Sequence, residues 1–195
     1  ATTTNHQYGI LEINKTAGSA KLNANHVTAR SGIILKEGEL NLNGFNITIE
    51  SGFPSAISAA SGFIKSESTS EGNKSMVVWK NITPGLHTIP FGISGAKLIP
   101  FLFTPLSGYG NQFAVSTRNC VRDNRPLTNG VTNLNFQGTD AGDERVIDRW
   151  FHVNANGITA SITATYLAEE NSTNPGNALE NFSFMTWYDS KWNLS

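Results

Sequence analysis

The sequence predicts an all-β fold, a short parallel β-solenoid followed by a β-sandwich, and three observations predict it. Small uncharged side chains dominate: 22 Asn, 19 Thr, 18 Ser and 18 Gly stand in 195 residues, against 15% Asp, Glu, Lys and Arg. Hydrophobic residues, 38% of the chain, fall in short runs separated by Gly and Asn; helices would instead show a stripe of period 3.6. Four Trp, four Tyr and eleven Phe set the chain apart from disordered sequences, which combine high charge with few aromatics. Small polar residues suit turns and the solvent faces of strands, so the composition argues against a helical bundle or a nucleotide-binding α/β enzyme.

The first strand signals are 9–14 (Gly-Ile-Leu-Glu-Ile-Asn), 20–24, 32–35, 39–43, 45–49 and the weaker 62–64. Leu40 and Leu42, then Ile47 and Ile49, alternate strictly with polar residues, which is the period of a half-buried strand. Strands this short, with no long loops between them, fit a solenoid in which each coil stacks on the last and buries a narrow aliphatic core. A meandering antiparallel sheet is the alternative, because Asn43-Gly44 between two alternating runs is also a hairpin signal. The polar stretch 66–75 reads as the boundary, giving a solenoid segment over 1–70 and a sandwich over 71–195. Beyond it the runs are longer and richer in aromatics: 76–79, 86–91, 99–104, 112–118, 146–153, 158–166 and 182–188. Seven runs punctuated by Pro, Gly, Asn and Asp are what a sandwich needs. The stretch 169–181 reads as a long loop.

Net charge is −1, with no basic run, so nucleic acid and anionic membranes are not expected partners. The longest purely apolar stretch is the six residues 98–103, too short to insert in a membrane, where about 20 are needed. A single cysteine, Cys120, excludes an internal disulfide framework and a cysteine zinc site. The chain opens at Ala1 without an initiator Met or a signal peptide, as expected of a processed chain or a piece of something longer.

Taken in order, several motifs resemble those of one family. Tyr8-Gly9-Ile10-Leu11-Glu12-Ile13-Asn14-Lys15-Thr16-Ala17-Gly18 comes first, then the segment from Glu37 through Leu40-Asn41-Leu42-Asn43-Gly44 to Ile49. His87-Thr88-Ile89-Pro90-Phe91-Gly92, Pro126-Leu127-Thr128 and Arg149-Trp150-Phe151-His152-Val153 follow. Over nearly the whole chain this order resembles modules of large secreted cell-surface proteins of Bacteroidetes. The resemblance implies a β-solenoid leading into a β-sandwich, export by the type IX route, and a place outside the cell or on the bacterial surface. It also implies a structural or adhesive role, some relatives being gliding-motility adhesins. The family's Val in the strand around Pro90 is Phe91 here, and its C-terminal sorting domain is not part of this sequence.

His6, His26, His87 and His152 have no second His or carboxylate at metal-ligand spacing, and no nucleophile elbow occurs. Glu37 and Glu39 are two apart, with Glu50 one coil later, and carboxylates on neighbouring coils serve solenoid lyases and hydrolases. They flank Gly38 at a turn with only Lys36 beside them, and a structural role outweighs a catalytic one. No enzymatic activity is therefore expected. Asp140, Asp143 and Glu144, with Asp148 beyond, are the one candidate metal group. Clustered oxygens suit Ca²⁺, although a solvated loop neutralised by Arg145 and Arg149 is the simpler reading, and no other cofactor is expected. Trp187, Tyr188 and Trp192 form an aromatic cluster able to stack on a sugar ring or to pack on the next module. The function expected is a non-enzymatic stalk, spacer or adhesin repeat, its partners being neighbouring modules, surface glycans or other cell-surface proteins. A carbohydrate-binding sandwich, with or without calcium, comes second.

Overall fold

A computed structural model describes residues 5–67, 75–120, 125–128, 130–136, 139–140, 147–170, 185–188 and 191–194. The chain is all-β, and among the described residues its helical structure is confined to two single 3-10 turns, Pro54–Ala56 and Ala168–Glu170. It divides into two compact units, Ala1–Arg118 with Phe151–Thr165, and Asn119–Trp150 with Tyr166–Ser195.

In the first unit the chain opens with two long strands, β1 (His6–Lys21) and β2 (Val27–Asn41), and continues through β3 (Ile47–Ile49), β4 (Ile57–Ala59), β5 (Phe63–Lys65) and β6 (Val77–Trp79). The runs 9–14 and 20–24 thus belong largely to one strand, as do 32–35 and most of 39–43. All these ladders are parallel. His6 pairs with Val27, Val27 with Ile47 and Ile47 with Val77, so successive passes of the chain lie on one another. Three short strands cover one long one: β3 lies on residues 27–29 of β2, β4 on 33–35 and β5 on 39–41. The inward positions form columns. Ile33, Leu35, Leu40, Leu42, Ile47, Ile49 and Ile64 are at most 1% exposed, and each such side chain contributes about 1.5–3 kcal/mol by leaving water.

The chain then runs through β7 (His87–Ile89), β8 (Gly92–Ser94), β9 (Lys97–Leu98), β10 (Phe101–Ser107) and β11 (Phe113–Asn119). Among its described residues the second unit carries two hairpins, one of them β12 (Asn135–Phe136) with β13 (Thr139–Asp140). β14 (Arg149–Asn154) and β15 (Thr159–Ala164) come between them in sequence. Here the pairing changes sense: β11 is antiparallel to β6, and β10 is antiparallel to both β7 and β15. The sheet β15-β10-β7 packs through aromatic rings against the sheet that holds β6 and β11. Phe103 and Phe113 stack with centroids 4.1 Å apart, and Trp79 meets Phe103 edge-on at 6.1 Å. Phe101 reaches both Phe113 and Phe151. The longer, aromatic-rich runs are therefore those that meet across a gap between two sheets, where large rings are needed to fill it.

Asn43-Gly44 does form a tight turn. Both residues have positive φ, +50 and +84, and Phe45 N–H donates to Leu42 O at 2.9 Å, as in a type I′ turn. No hairpin grows from it, because Leu42 N–H donates to Lys65 O and β3 pairs in parallel with the far end of β2. The turn is a corner that hands the chain to the next pass. At such corners the backbone ladder is interrupted, and small polar side chains take over its bonds. Asn43 Nδ2 donates to Leu22 O at 2.9 Å, and Asn81 Nδ2 to Glu50 O at 2.8 Å. Ser75 Oγ accepts from Gly44 N–H at 2.8 Å, Asn46 Oδ1 accepts from Met76 N–H at 3.0 Å, and Thr83 Oγ1 donates to Gly52 O at 2.9 Å. The Asn, Ser and Thr that dominate the composition are thus structural parts of the stack. Gly52 marks its closest approach: a Cβ there would sit 1.6 Å from Asn81 O, so only glycine fits.

Candidate functional site

A surface groove of about 430 Å³ crosses four passes of the chain at one corner of the first unit. Lys15, Thr16 and Gly18 come from β1, and Glu37, Gly38 and Glu39 from β2. Ser61 and Phe63 follow from the next pass, then Ser94 and Gly95 from the end of β8 and the turn after it. Parallel pairing aligns them, since Ser19 lies beside Glu39 and Glu39 beside Phe63. With neighbouring strands about 4.8 Å apart, the four passes give a trough roughly 15 Å long. Glycines at three of the ten positions leave the floor open.

Glu39 is held from two sides. Asn41 Nδ2 donates to its Oε1 at 3.0 Å, and Lys65 Nζ stands 3.9 Å from its Oε2. Glu37 has no hydrogen-bond or ion-pair partner among the described residues. Ser61 Oγ donates to Lys36 O at 3.0 Å, which leaves its lone pairs available as acceptors. Lys36 itself pairs with Glu12 at 2.9 Å, with both side chains largely in water. Phe63, 4% exposed, supplies the one large apolar wall. The carboxylates singled out in the sequence therefore line a groove, but as part of a mixed polar surface that also holds a lysine and hydroxyls.

The histidines take structural places. His87 is fully buried, with Nδ1 3.0 Å from Gly85 O and Nε2 3.0 Å from Gly52 O. It is stacked on Phe103 at 4.7 Å and meets Trp79 edge-on at 4.7 Å. Trp79 in turn donates its indole N–H to Ser51 O at 2.7 Å. His87 thus ties Gly52, at the closest approach of the stack, to the aromatic core. His26 Nδ1 accepts from Asn46 N–H at 2.8 Å, and His6 Nε2 lies 3.2 Å from Asn25 Nδ2. Burial of His152 lowers its pKa below 6.5, and the Arg118 guanidinium lowers it further.

In the second unit, β16 (Met185–Tyr188) and β17 (Lys191–Leu194) form an antiparallel hairpin. Its register sets Trp187 directly opposite Trp192, and Tyr188 opposite Lys191. Of the acidic group, Asp140 ends β13, whereas Asp143 and Glu144 lie outside the described residues. No cluster of three metal-ligating side chains occurs among the described residues. Arg149 makes a buried two-point pair with Glu170, its Nε 2.8 Å from Oε2 and Nη2 2.5 Å from Oε1. Glu170 Oε2 also accepts Leu167 N–H at 2.8 Å. Glu170 carried no signal in the sequence, because it lies within a polar stretch that reads as loop. Cys120 is half-buried and free of any disulfide. No helix among the described residues is long and apolar enough to cross a membrane.

No protein-family model matches the chain, and neither a curated protein nor a solved structure is significantly similar to it.

Proposed function

We propose that this chain is a non-enzymatic extracellular module of a large bacterial cell-surface protein, a solenoid leading into a sandwich that serves as stalk, spacer or adhesin repeat. The observation that carries this reading is the stack of parallel passes, in which columns such as Ala29, Ile49 and Trp79 are fully buried and the corners at Asn43 and Asn81 are fastened by uncharged side chains. Parallel stacking around a narrow core gives a stiff element whose length is set by the number of coils. The motif order from Tyr8 to Val153 adds the resemblance to exported Bacteroidetes surface proteins, with adhesion or gliding as the context. Labelling of intact source cells with antibody against this chain tests the location, with surface fluorescence expected. Single-molecule extension of the chain between flanking marker domains tests the mechanical role, with one cooperative unfolding event of the first unit expected. Labelling seen only after lysis, or extension with no resolved event, would refute it.

A carbohydrate-binding role for the second unit is favoured by one observation, the pairing of Trp187 with Trp192 across the β16–β17 hairpin beside Tyr188. Aromatic residues opposite one another on a two-stranded ribbon are suited to stacking against a sugar ring. Calcium held by Asp140, Asp143 and Glu144 would accompany that role. Loss of glycan binding in Trp187→Ala and Trp192→Ala, and a melting temperature raised by Ca²⁺ and lowered by EDTA, are its expected signatures.

A further inference from the structure

We propose that the groove across the four stacked passes binds a linear, uncharged oligosaccharide lying along the stack. This rests on the adhesive reading above and gives it a ligand and a place, distinct from the tryptophan hairpin of the second unit.

The shape of the groove selects an extended ligand. Its lining comes from four consecutive passes, each adding one step of about 4.8 Å along the trough, so it offers the same kind of polar contact repeatedly along one direction. Its chemistry selects hydroxyl groups. Thr16, Ser61 and Ser94 carry hydroxyls, and the carboxylates of Glu37 and Glu39 accept from pairs of neighbouring sugar hydroxyls as they accept from paired N–H groups. Glu39 is already oriented by Asn41 and Lys65, and Glu37 has acceptor capacity that no described residue uses.

The charges select neutrality. Lys15 and Lys65 balance Glu37 and Glu39, so neither a polyanion such as a uronate chain or nucleic acid nor a polycation gains from the groove as a whole. A protein helix is disfavoured as occupant, because Phe63 is the one large apolar side chain and is itself nearly covered. The glycines keep the backbone within reach, and the stack beneath is rigid, so little ordering is required on binding.

Calorimetric titration of the whole chain with cellohexaose, a neutral linear chain, and with hexagalacturonate, its anionic counterpart, tests the proposal. Cellohexaose is expected to bind and hexagalacturonate is not. Gly95→Trp fills the trough from a position where an added Cβ meets nothing within 4 Å, so the fold persists, and it is expected to weaken cellohexaose about tenfold or more. Glu37→Gln keeps the acceptor oxygen while removing the charge, and is expected to lower discrimination against hexagalacturonate. Binding of cellohexaose unchanged by Gly95→Trp but lost in Trp192→Ala overturns the groove and leaves the adhesive reading standing. No binding of either sugar, or tighter binding of hexagalacturonate, also overturns the groove. Release of shorter sugars from bound cellohexaose would overturn the non-enzymatic reading while leaving the occupant of the groove in place.

Discussion

β1 and β2 are nearly equal in length and lie against each other in one parallel ladder, yet twelve of the sixteen residues of β1 are exposed and only three of the fifteen in β2. Partners in register show the difference directly. Tyr8 is 44% exposed beside Ala29 at 0%, and Ile13 is 7% exposed beside Leu35 at 0%. Ile10, a good strand residue, is 57% exposed beside a buried Gly32. Their sequences do not differ enough in hydrophobicity to explain this. β2 has a pass on each side, β1 and then β3, β4 and β5, whereas β1 has β2 alone among the described ladders. In a stack, burial belongs to the interior position, and an inward residue reaches full burial only when both neighbours are present.

The comparison can be broken most strongly at the glycines. Gly52→Ala forces a Cβ to 1.6 Å from Asn81 O and is expected to cost more than about 4 kcal/mol, or to prevent folding. Gly9→Ala in β1, with nothing within 4 Å, should leave the melting temperature essentially unchanged. Next come the inward aliphatics. Leu40→Ala is expected to cost about 2–5 kcal/mol in denaturant unfolding, and Ile10→Ala less than about 0.5 kcal/mol. Equal losses would show that β1 is buried in solution as deeply as β2.

Asn43→Ala removes the bond to Leu22 O that ties the corner after β2 to the end of β1, and should cost about 1–2 kcal/mol. Lys36→Ala cuts the pair between β2 and Glu12 of β1, and because both groups face water the loss is expected below about 1 kcal/mol. Acidification sets the stack of β1 and β2 against β14, the strand that carries His152. The pKa of His152 is lowered in the folded state, so the unfolded chain binds the proton more readily. Its contribution to stability is full above pH 6.5 and is lost as pH falls toward the folded value. A slight fall in melting temperature below pH 6.5, removed in His152→Gln, is the expected result, with the β1 and β2 substitutions unaffected.

Much of the stack was legible because its signals are local. The alternation of Leu40 with Leu42 and of Ile47 with Ile49 named inward positions that are all at most 1% exposed. Asn43-Gly44 named a turn that is present. Whether that turn closed a hairpin or a coil was not legible, because the partner of Leu42 N–H is Lys65, in the next pass. The groove was half legible: Glu37 and Glu39 stood out as a pair, but Ser94 and Gly95 reach them only through the β2–β5 ladder and the Ile64–Phe91 bridge. His87 read as an ordinary strand residue, since nothing near it in sequence announces Trp79, Phe103 and the carbonyl of Gly52. The pairing of Arg149 with Glu170 was not legible either, because the fold brings together two residues 21 apart in sequence.

The corner bonds from asparagine, serine and threonine bear on what one pass asks of the next. At two corners a side chain reaches one neighbouring pass, Asn43 to Leu22 and Asn81 to Glu50. Such fastenings need from the neighbouring pass only a backbone carbonyl, as at Leu22 and Glu50, or a backbone N–H, as at Gly44 and Met76. Because these bonds end on backbone groups, the side chains of the neighbouring pass at those points are not what the fastening reads.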